Sequence, residues 1–186
     1  MTANKGMDRA AAVRAALIEL VAGQGLHGTS MGQVARRADV AIGTIYVHYA
    51  DRDSLILRVF ADVKRDLALA ARTGWTNLHS PEERFLAAWH RVYAHLVERP
   101  ERARFLLQLE ASPYARALHD AYDDDAAIWT SMTDDLGDAL VELPVDLLYD
   151  LALGPAVTLA ATADAALATE STLDKVARGC WRAITR

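Results

Sequence analysis

Helical periodicity constrains this chain more than any other feature of its sequence. Apolar residues recur three and four positions apart almost throughout the 186 residues, and no run alternates apolar and polar residues for long. The first stretch places five apolar residues at the spacing of one buried helix face: Val13, Ala16, Leu17, Leu20 and Val21. A half-buried strand would need strict alternation, so the pattern predicts an all-α fold.

The starts of the predicted helices carry residues that cap free backbone N–H groups. Ser30 and Ser80 each open a capping box, with Gln or Glu three positions later, and Ser171 has the same spacing to Asp174. Asp51 is expected to cap a long helix. Later helices are predicted over residues 101–110, 113–142, 144–166 and 172–184.

Two short helices with a tight turn between them follow the first helix. The first is predicted from Ser30 to about Ala38, and the second from Ala41 to between Tyr46 and His48. Five apolar residues stand where they would close a small three-helix core: Val34, Ala35, Ala38, Val40 and Ile45. Two short helices packed on a preceding one make a helix-turn-helix.

Residues 25–55 read GLHGTSMGQVARRADVAIGTIYVHYADRDSL. This stretch resembles the DNA-binding signature of the TetR family of transcriptional regulators, because many fixed spacings agree at once. The resemblance covers about the first third of the chain. It implies an N-terminal three-helix DNA-binding domain at residues 1–50 and a C-terminal helical domain at residues 51–186 for ligand binding and dimerisation.

The resemblance also implies a DNA-contacting surface along the two short helices. Its expected members are Thr29, Ser30, Gly32, Gln33, Ala41, Ile42, Gly43, Thr44, Tyr46, His48 and Arg52. Hydroxyl and N–H groups at a helix start can hold a phosphate, which is the role expected of Thr29 and Ser30. Gly43 and Thr44 would meet base edges in the major groove. Tyr46, His48 and Arg52 stand where the family has phosphate-binding Tyr, His and Lys residues.

Three residues depart from the family pattern. Asp39 stands where the family favours Gly, Ala41 where it favours Ser, and Ile42 where it often has Lys. Asp39 can still adopt a left-handed turn, though less readily than Gly. Ala41 forfeits a helix cap, and Ile42 removes a cation from the groove while offering contact to a thymine methyl group.

Charge is distributed unevenly along the chain. Residues 1–65 contain nine Lys or Arg against six Asp or Glu, a balance of +3, so the remainder carries −8 of the total of −5. A basic N-terminal part joined to an acidic body is consistent with a contact surface for double-stranded operator DNA.

Aromatic residues of the central region suggest a small-molecule site. A largely apolar cavity with a few polar groups is what such a site requires, and Tyr and Trp carry polar atoms that a plain core does not need. Together with the resemblance, this predicts a pocket for an unidentified effector, lined by Trp75, Trp89, Tyr93, Phe105, Tyr114, Tyr122 and Trp129. Ordinary core packing is the alternative for several of them.

A homodimer is implied by the resemblance and supported by the two last helices, which are unusually apolar for a monomer surface. The predicted function is a ligand-responsive repressor that binds palindromic operator DNA and is released by a small-molecule inducer. A regulator of the same fold that activates transcription, or that senses a protein partner, is the main alternative. A helical interaction module that does not bind DNA is a second.

Other classes of function find little support. Gly23 to Gly28 match the G-x-G-x-x-G dinucleotide pattern, but no strand precedes them. The acidic runs 123–125 and 134–138 beside His119 are read as solvated helix faces, so no metal site is expected. No catalytic residues or cofactor are expected either. One cysteine, no membrane-span pattern and no signal core indicate a cytoplasmic protein.

Overall fold

The computed structural model describes residues 2–110, 112, 123–162, 164 and 168–186. These residues form nine α-helices: α1 (Thr2–Gln24), α2 (Met31–Arg37), α3 (Ile42–His48), α4 (Arg52–Arg72), α5 (Pro81–Val97), α6 (Pro100–Glu110), α7 (Asp123–Leu136), α8 (Val145–Thr162) and α9 (Glu170–Ile184). Short 3₁₀ turns lie at Trp75–Asn77 and Gly137–Ala139. The prediction of an all-α fold is confirmed.

Three predicted helix starts are confirmed in atomic detail. The side chains of Ser30, Asp51 and Ser80 each accept a hydrogen bond from the backbone N–H three residues later, and each box closes with a reciprocal bond. Each cap satisfies N–H groups that the first turn of a helix leaves free.

One predicted start was wrong. The last helix begins at Glu170, and its N-cap is Thr169 rather than Ser171, because the Thr169 hydroxyl accepts from the N–H of Thr172.

The body of the protein is built around α5. This helix packs against α4, α8 and α9, while α6 packs against α8 on one side and α1 on the other. Trp89 of α5 and Phe105 of α6 are completely buried in the core. Because α1 belongs to the N-terminal helices, α6 and α4 join those helices directly to the body.

The outer surface of α8 carries an apolar stripe. Leu147 and Leu151 are 50% and 42% exposed, and Leu143, just before the helix, is 39% exposed. Their spacing of four residues places them on one helix face. In the part of the chain that the structure describes, no helix is both long enough and apolar enough to cross a membrane.

Candidate nucleic-acid interface

A small three-helix core holds α2 and α3 in place. Val34 and Ala35 of α2 and Ile45 of α3 are almost completely buried, against Leu17 and Val21 of α1. Ala38 and Val40, also predicted for this core, are partly buried and pack against it. The apolar side chains therefore fix the angle between the two short helices.

The turn between α2 and α3 is a Schellman motif. The N–H of Val40 donates to the carbonyl of Ala35 at 3.0 Å, and the N–H of Asp39 donates to that of Arg36 at 3.3 Å. Asp39 has φ of 53°, the left-handed conformation that the sequence predicted. This motif ends α2 and redirects the chain into α3 within a few residues.

Helix α3 presents a solvent-facing surface. Ile42 is 47% exposed, Tyr46 50% and Val47 80%, and His48 is exposed beside them. Val47 was missing from the predicted contact set, although its i+4 spacing from Gly43 places it on the same face. Ala41 occupies the N-cap position and makes no side-chain capping bond, as its identity predicted.

Two glycines face open space beside this surface. A Cβ atom added to Gly32 or Gly43 would meet nothing within 4 Å. Neither glycine is therefore needed for packing inside the chain. Next to Gly32, Ser30 and Gln33 are bonded to each other, with the N–H of Ser30 donating to Gln33 Oε1 at 2.7 Å. The polar atoms of Ser30 and Gln33 are therefore engaged in the capping box at the start of α2.

Thr29 and Arg52 are engaged inside the fold. Thr29 is only 3% exposed, and its hydroxyl donates to the carbonyl of Gly25 at 3.0 Å. The guanidinium of Arg52 donates to the carbonyl of Leu26. Both residues therefore supply donors to the loop between α1 and α2, a contact inside the fold that the sequence did not predict.

The aromatic residues predicted to line a pocket divide into two groups. Trp75, Trp89 and Phe105 are buried, and the ring of Tyr93 stacks on that of Trp89 with centroids 6.1 Å apart. Tyr114, Tyr122 and the side chain of Trp129 lie outside the part of the chain that is described. The described aromatics pack as core, and Trp89, Tyr93 and Phe105 lie on α5 and α6.

The interior of the body also holds charged groups that the sequence analysis missed. Lys64 of α4 is 8% exposed, and its Nζ lies 3.8 Å from Glu110 Oε1 and 3.1 Å from the centre of the Tyr149 ring. Burial raises the pKa of Glu110, although the nearby Lys64 opposes this shift. Burial likewise raises the pKa of Tyr149. No local pattern joins residues so far apart in sequence.

Comparison with known proteins agrees with this geometry. Residues 13–59 match the family model of the bacterial regulatory proteins of the tetR family. An uncharacterised HTH-type transcriptional regulator of Haemophilus influenzae is 28% identical over an alignment of 184 positions, which covers 96% of this chain and 97% of that protein.

Solved structures resemble the whole chain. A TetR-family transcriptional regulator from Haemophilus influenzae Rd is 26% identical, with a TM-score of 0.77 over 100% of both chains. A TetR-family regulator from Marinobacter aquaeolei VT8 has a TM-score of 0.81 and 21% identity over 99% of both chains. FadR from Bacillus subtilis, solved in complex with stearoyl-CoA, has a TM-score of 0.68 and 16% identity over 92% of this chain and 95% of that one.

The family match falls on the three helices whose packing exposes α3, and the likeness to solved regulators extends over the rest of the chain. The N-terminal helix-turn-helix therefore matches the tetR family model, and the chain as a whole is similar to transcriptional regulators of that family.

Proposed function

We propose that this protein is a ligand-responsive repressor that binds palindromic operator DNA as a homodimer and is released by a small-molecule inducer. The observation that carries the proposal is the outward face of α3, where Ile42, Tyr46 and Val47 remain exposed while Ile45 of the same helix is buried in the three-helix core. A face of this kind on the second helix of a helix-turn-helix enters the major groove in DNA-bound relatives of the motif.

The chemistry of the α3 face suits duplex DNA. Ile42 offers an apolar contact of the kind that a thymine methyl group accepts, and Thr44 offers a hydroxyl. Tyr46 and His48 carry donors for backbone phosphates at the end of the helix. Gly43, with open space around its Cα, would let a base edge approach the backbone closely. Ser30, Gly32, Gln33 and Ala41 border the same surface.

Dimerisation through α8 and α9 is the second part of the proposal. The exposed stripe of Leu143, Leu147 and Leu151 supports it, because a stripe of large apolar side chains on one helix face is a common mark of a protein interface. A two-fold axis through such an interface would present two copies of α3. Their separation must then match major grooves about 34–36 Å apart, or a multiple of that distance.

Inducer binding would act on α4, which connects the DNA-binding helices with the body. We place the effector among the buried aromatics of α5 and α6, where Lys64 and Glu110 add polar groups to an apolar interior. FadR, a protein of the same fold, was solved in complex with stearoyl-CoA, which supports small-molecule binding by a protein of this architecture. A preference of about 5.5 kcal/mol for the released arrangement would move the population from 1:99 to 99:1.

Selection of bound duplexes from a random pool tests the proposal, together with the mass of the protein in solution. We expect enrichment of an inverted repeat, binding that weakens with added salt, and a dimeric mass. Glu82→Gln, which lies on α5 away from α3, is a control that should enrich the same sequence. A monomeric protein, or one that ignores palindromic DNA at low ionic strength, would contradict the proposal. The expected site of action is the cytoplasm.

The inducer part is tested separately with the selected operator. Compounds that raise the thermal midpoint of the protein should lower its operator affinity while the dimeric mass is retained. A bound compound that stabilises the dimer and leaves operator affinity unchanged would contradict release by an inducer.

A further inference from the structure

A line of polar contacts connects the end of the recognition helix with α4. Tyr49 is the C-cap residue of α3 and is 8% exposed, and its hydroxyl accepts a hydrogen bond from Arg14 Nη1 of α1 at 3.4 Å. The Nε atom of the same arginine lies 3.1 Å from Asp62 Oδ2 of α4. One side chain of α1 thus contacts both the end of α3 and the middle of α4.

Two carboxylates of α4, one helical turn apart, take part in these contacts. Asp62 lies between two guanidinium groups, because its Oδ1 is also 3.1 Å from Arg58 Nε. Asp66, four residues further along α4, accepts a hydrogen bond at Oδ2 from Arg102 Nη1 of α6 at 2.8 Å. Neighbouring carboxylates of α4 therefore hold two different elements, α1 of the DNA-binding unit and α6 of the body.

These contacts cross a groove. A cavity of about 660 Å³ lies between α1, α4 and the start of α6, and Arg14, Asp62, Asp66 and Arg102 all line it. Apolar packing has little directional preference, and the groove leaves part of α1 apart from α4. An arginine–carboxylate pair has a fixed planar geometry, so pairs that reach across the groove can set the distance and angle between the helices.

We propose that Arg14 and Asp62 are positioning residues for DNA recognition, which set the orientation of α3 relative to α4 and thereby the spacing of half-sites that a dimer accepts. This inference rests on the proposed function. Neither residue lies on the exposed face of α3. Loss of the Arg14–Asp62 pair leaves that face intact and loosens the angle at which it is presented.

Asp62→Asn is the main test, because it removes the charge and keeps the size of the side chain. Binding is measured to the selected operator, to versions with the spacer shortened or lengthened by one base pair, and to a single half-site. We expect discrimination between spacers to fall about threefold or more, since coupled contacts are commonly worth that much. Affinity for the single half-site should stay nearly unchanged.

A double variant tests whether Tyr49, at the end of α3, and Asp62, in α4, act through Arg14. Tyr49→Phe removes the hydroxyl that Arg14 contacts, so it should weaken spacer discrimination in the same direction as Asp62→Asn. If both act through Arg14, the double variant should lose little more than the larger single effect. Glu82→Gln is the matched control, because it breaks an exposed ion pair of 3.2 Å with Arg178 on the surface of the body, away from α3. It should leave spacer discrimination unchanged.

The thermal midpoint is recorded for each variant. The side chains of Arg14 and Asp62 are partly exposed, at 32% and 24%, and a single ion pair in contact with solvent contributes little stability, so the midpoint should change little. Unchanged spacer discrimination in Asp62→Asn would overturn the inference, and so would an equal loss of affinity for every spacer and for the half-site. If the unmodified protein selected no duplex at all, the proposed function itself would fail, which is a distinguishable result.

Discussion

The guanidinium of Arg52, in the first turn of α4, donates a hydrogen bond to the carbonyl oxygen of Leu26, in the loop between α1 and α2. Leu26 is itself 3% exposed, so the carbonyl lies where water has little access. The bond joins the start of α4 to the loop that precedes the helix-turn-helix. The position that resembled a phosphate ligand therefore has a structural role.

Arg52→Ala is expected to lower the free energy of unfolding by about 1.5–3 kcal/mol, because hydrogen bonds to charged groups are worth that amount and the Leu26 carbonyl would lose its partner. Urea unfolding measures the change. Arg72→Ala, at the exposed far end of α4, is the control and should stay within about 0.5 kcal/mol. A variant of Arg52 with normal stability and weakened DNA binding would show that the side chain serves as a phosphate ligand instead.

Ala41 leaves the start of α3 without a side-chain cap, and its backbone already has the extended conformation of an N-cap residue, with φ of −66° and ψ of 141°. Ala41→Ser should therefore raise the free energy of unfolding by about 0.5–2 kcal/mol, the usual worth of a serine cap. Thermal or urea unfolding measures it. Ser30→Ala is the converse variant, and it should cost a similar amount because the capping box of α2 is lost. An unchanged or lowered stability of Ala41→Ser would mean that the new hydroxyl does not reach the free N–H groups.

The sequence was most informative where a structural feature depends on neighbouring residues. The caps at Ser30, Asp51 and Ser80 were predictable because donor and acceptor are three residues apart. The start of the last helix was predicted wrongly because Thr169 and Ser171 both carry a hydroxyl that can cap a helix. Each also has a polar residue three positions later, Thr172 or Asp174. Local pattern does not decide between two such candidates.

Features that depend on distant residues were beyond prediction. The Arg14 side chain meets Tyr49 and Asp62 only because three helices converge, and Lys64 of α4 meets Glu110 at the end of α6 although the two residues are far apart in sequence. A donor such as Arg52 reads equally well as a phosphate ligand or as a partner for a loop carbonyl. The direction of that carbonyl is set by the fold of the loop and not by residue type.

His95 gives the protein a predictable response to mild acid. Burial lowers the pKa of this histidine below 6.5, and the charge of Arg102 lowers it further. The unfolded chain therefore takes up a proton at a higher pH than the folded protein does. The stability that this difference provides is complete above pH about 6.5 and is lost as the pH falls towards the folded pKa.

His95→Gln removes the titrating group, so the fall in unfolding free energy between about pH 7 and about pH 5.5 should be smaller in this variant than in the unmodified protein. This pH range lies above the range in which the carboxylates that take part in helix capping become protonated. The pKa values of Asp51 and Glu83 are lowered by hydrogen bonds from Ser54 and Ser80, so their contribution is lost only at still lower pH. Identical pH dependence of the two proteins would show that His95 is not responsible.

Ile42 tests which surface meets DNA. It is 47% exposed at the first position of α3, where a cation would lie against the phosphates or base edges of a bound duplex. Ile42→Lys should raise affinity for non-specific DNA and make the slope of log K against log salt steeper by about 0.9, the value for one added phosphate contact. Titration of a labelled random duplex across a salt series measures both effects.

Leu69→Lys is the matched control, because Leu69 is an apolar residue of α4 with 56% exposure and lies away from α3. It adds the same charge to the protein, so it should leave the slope nearly unaltered. Equal slopes for the two variants would mean that the gain comes from net charge alone and that Ile42 does not face DNA.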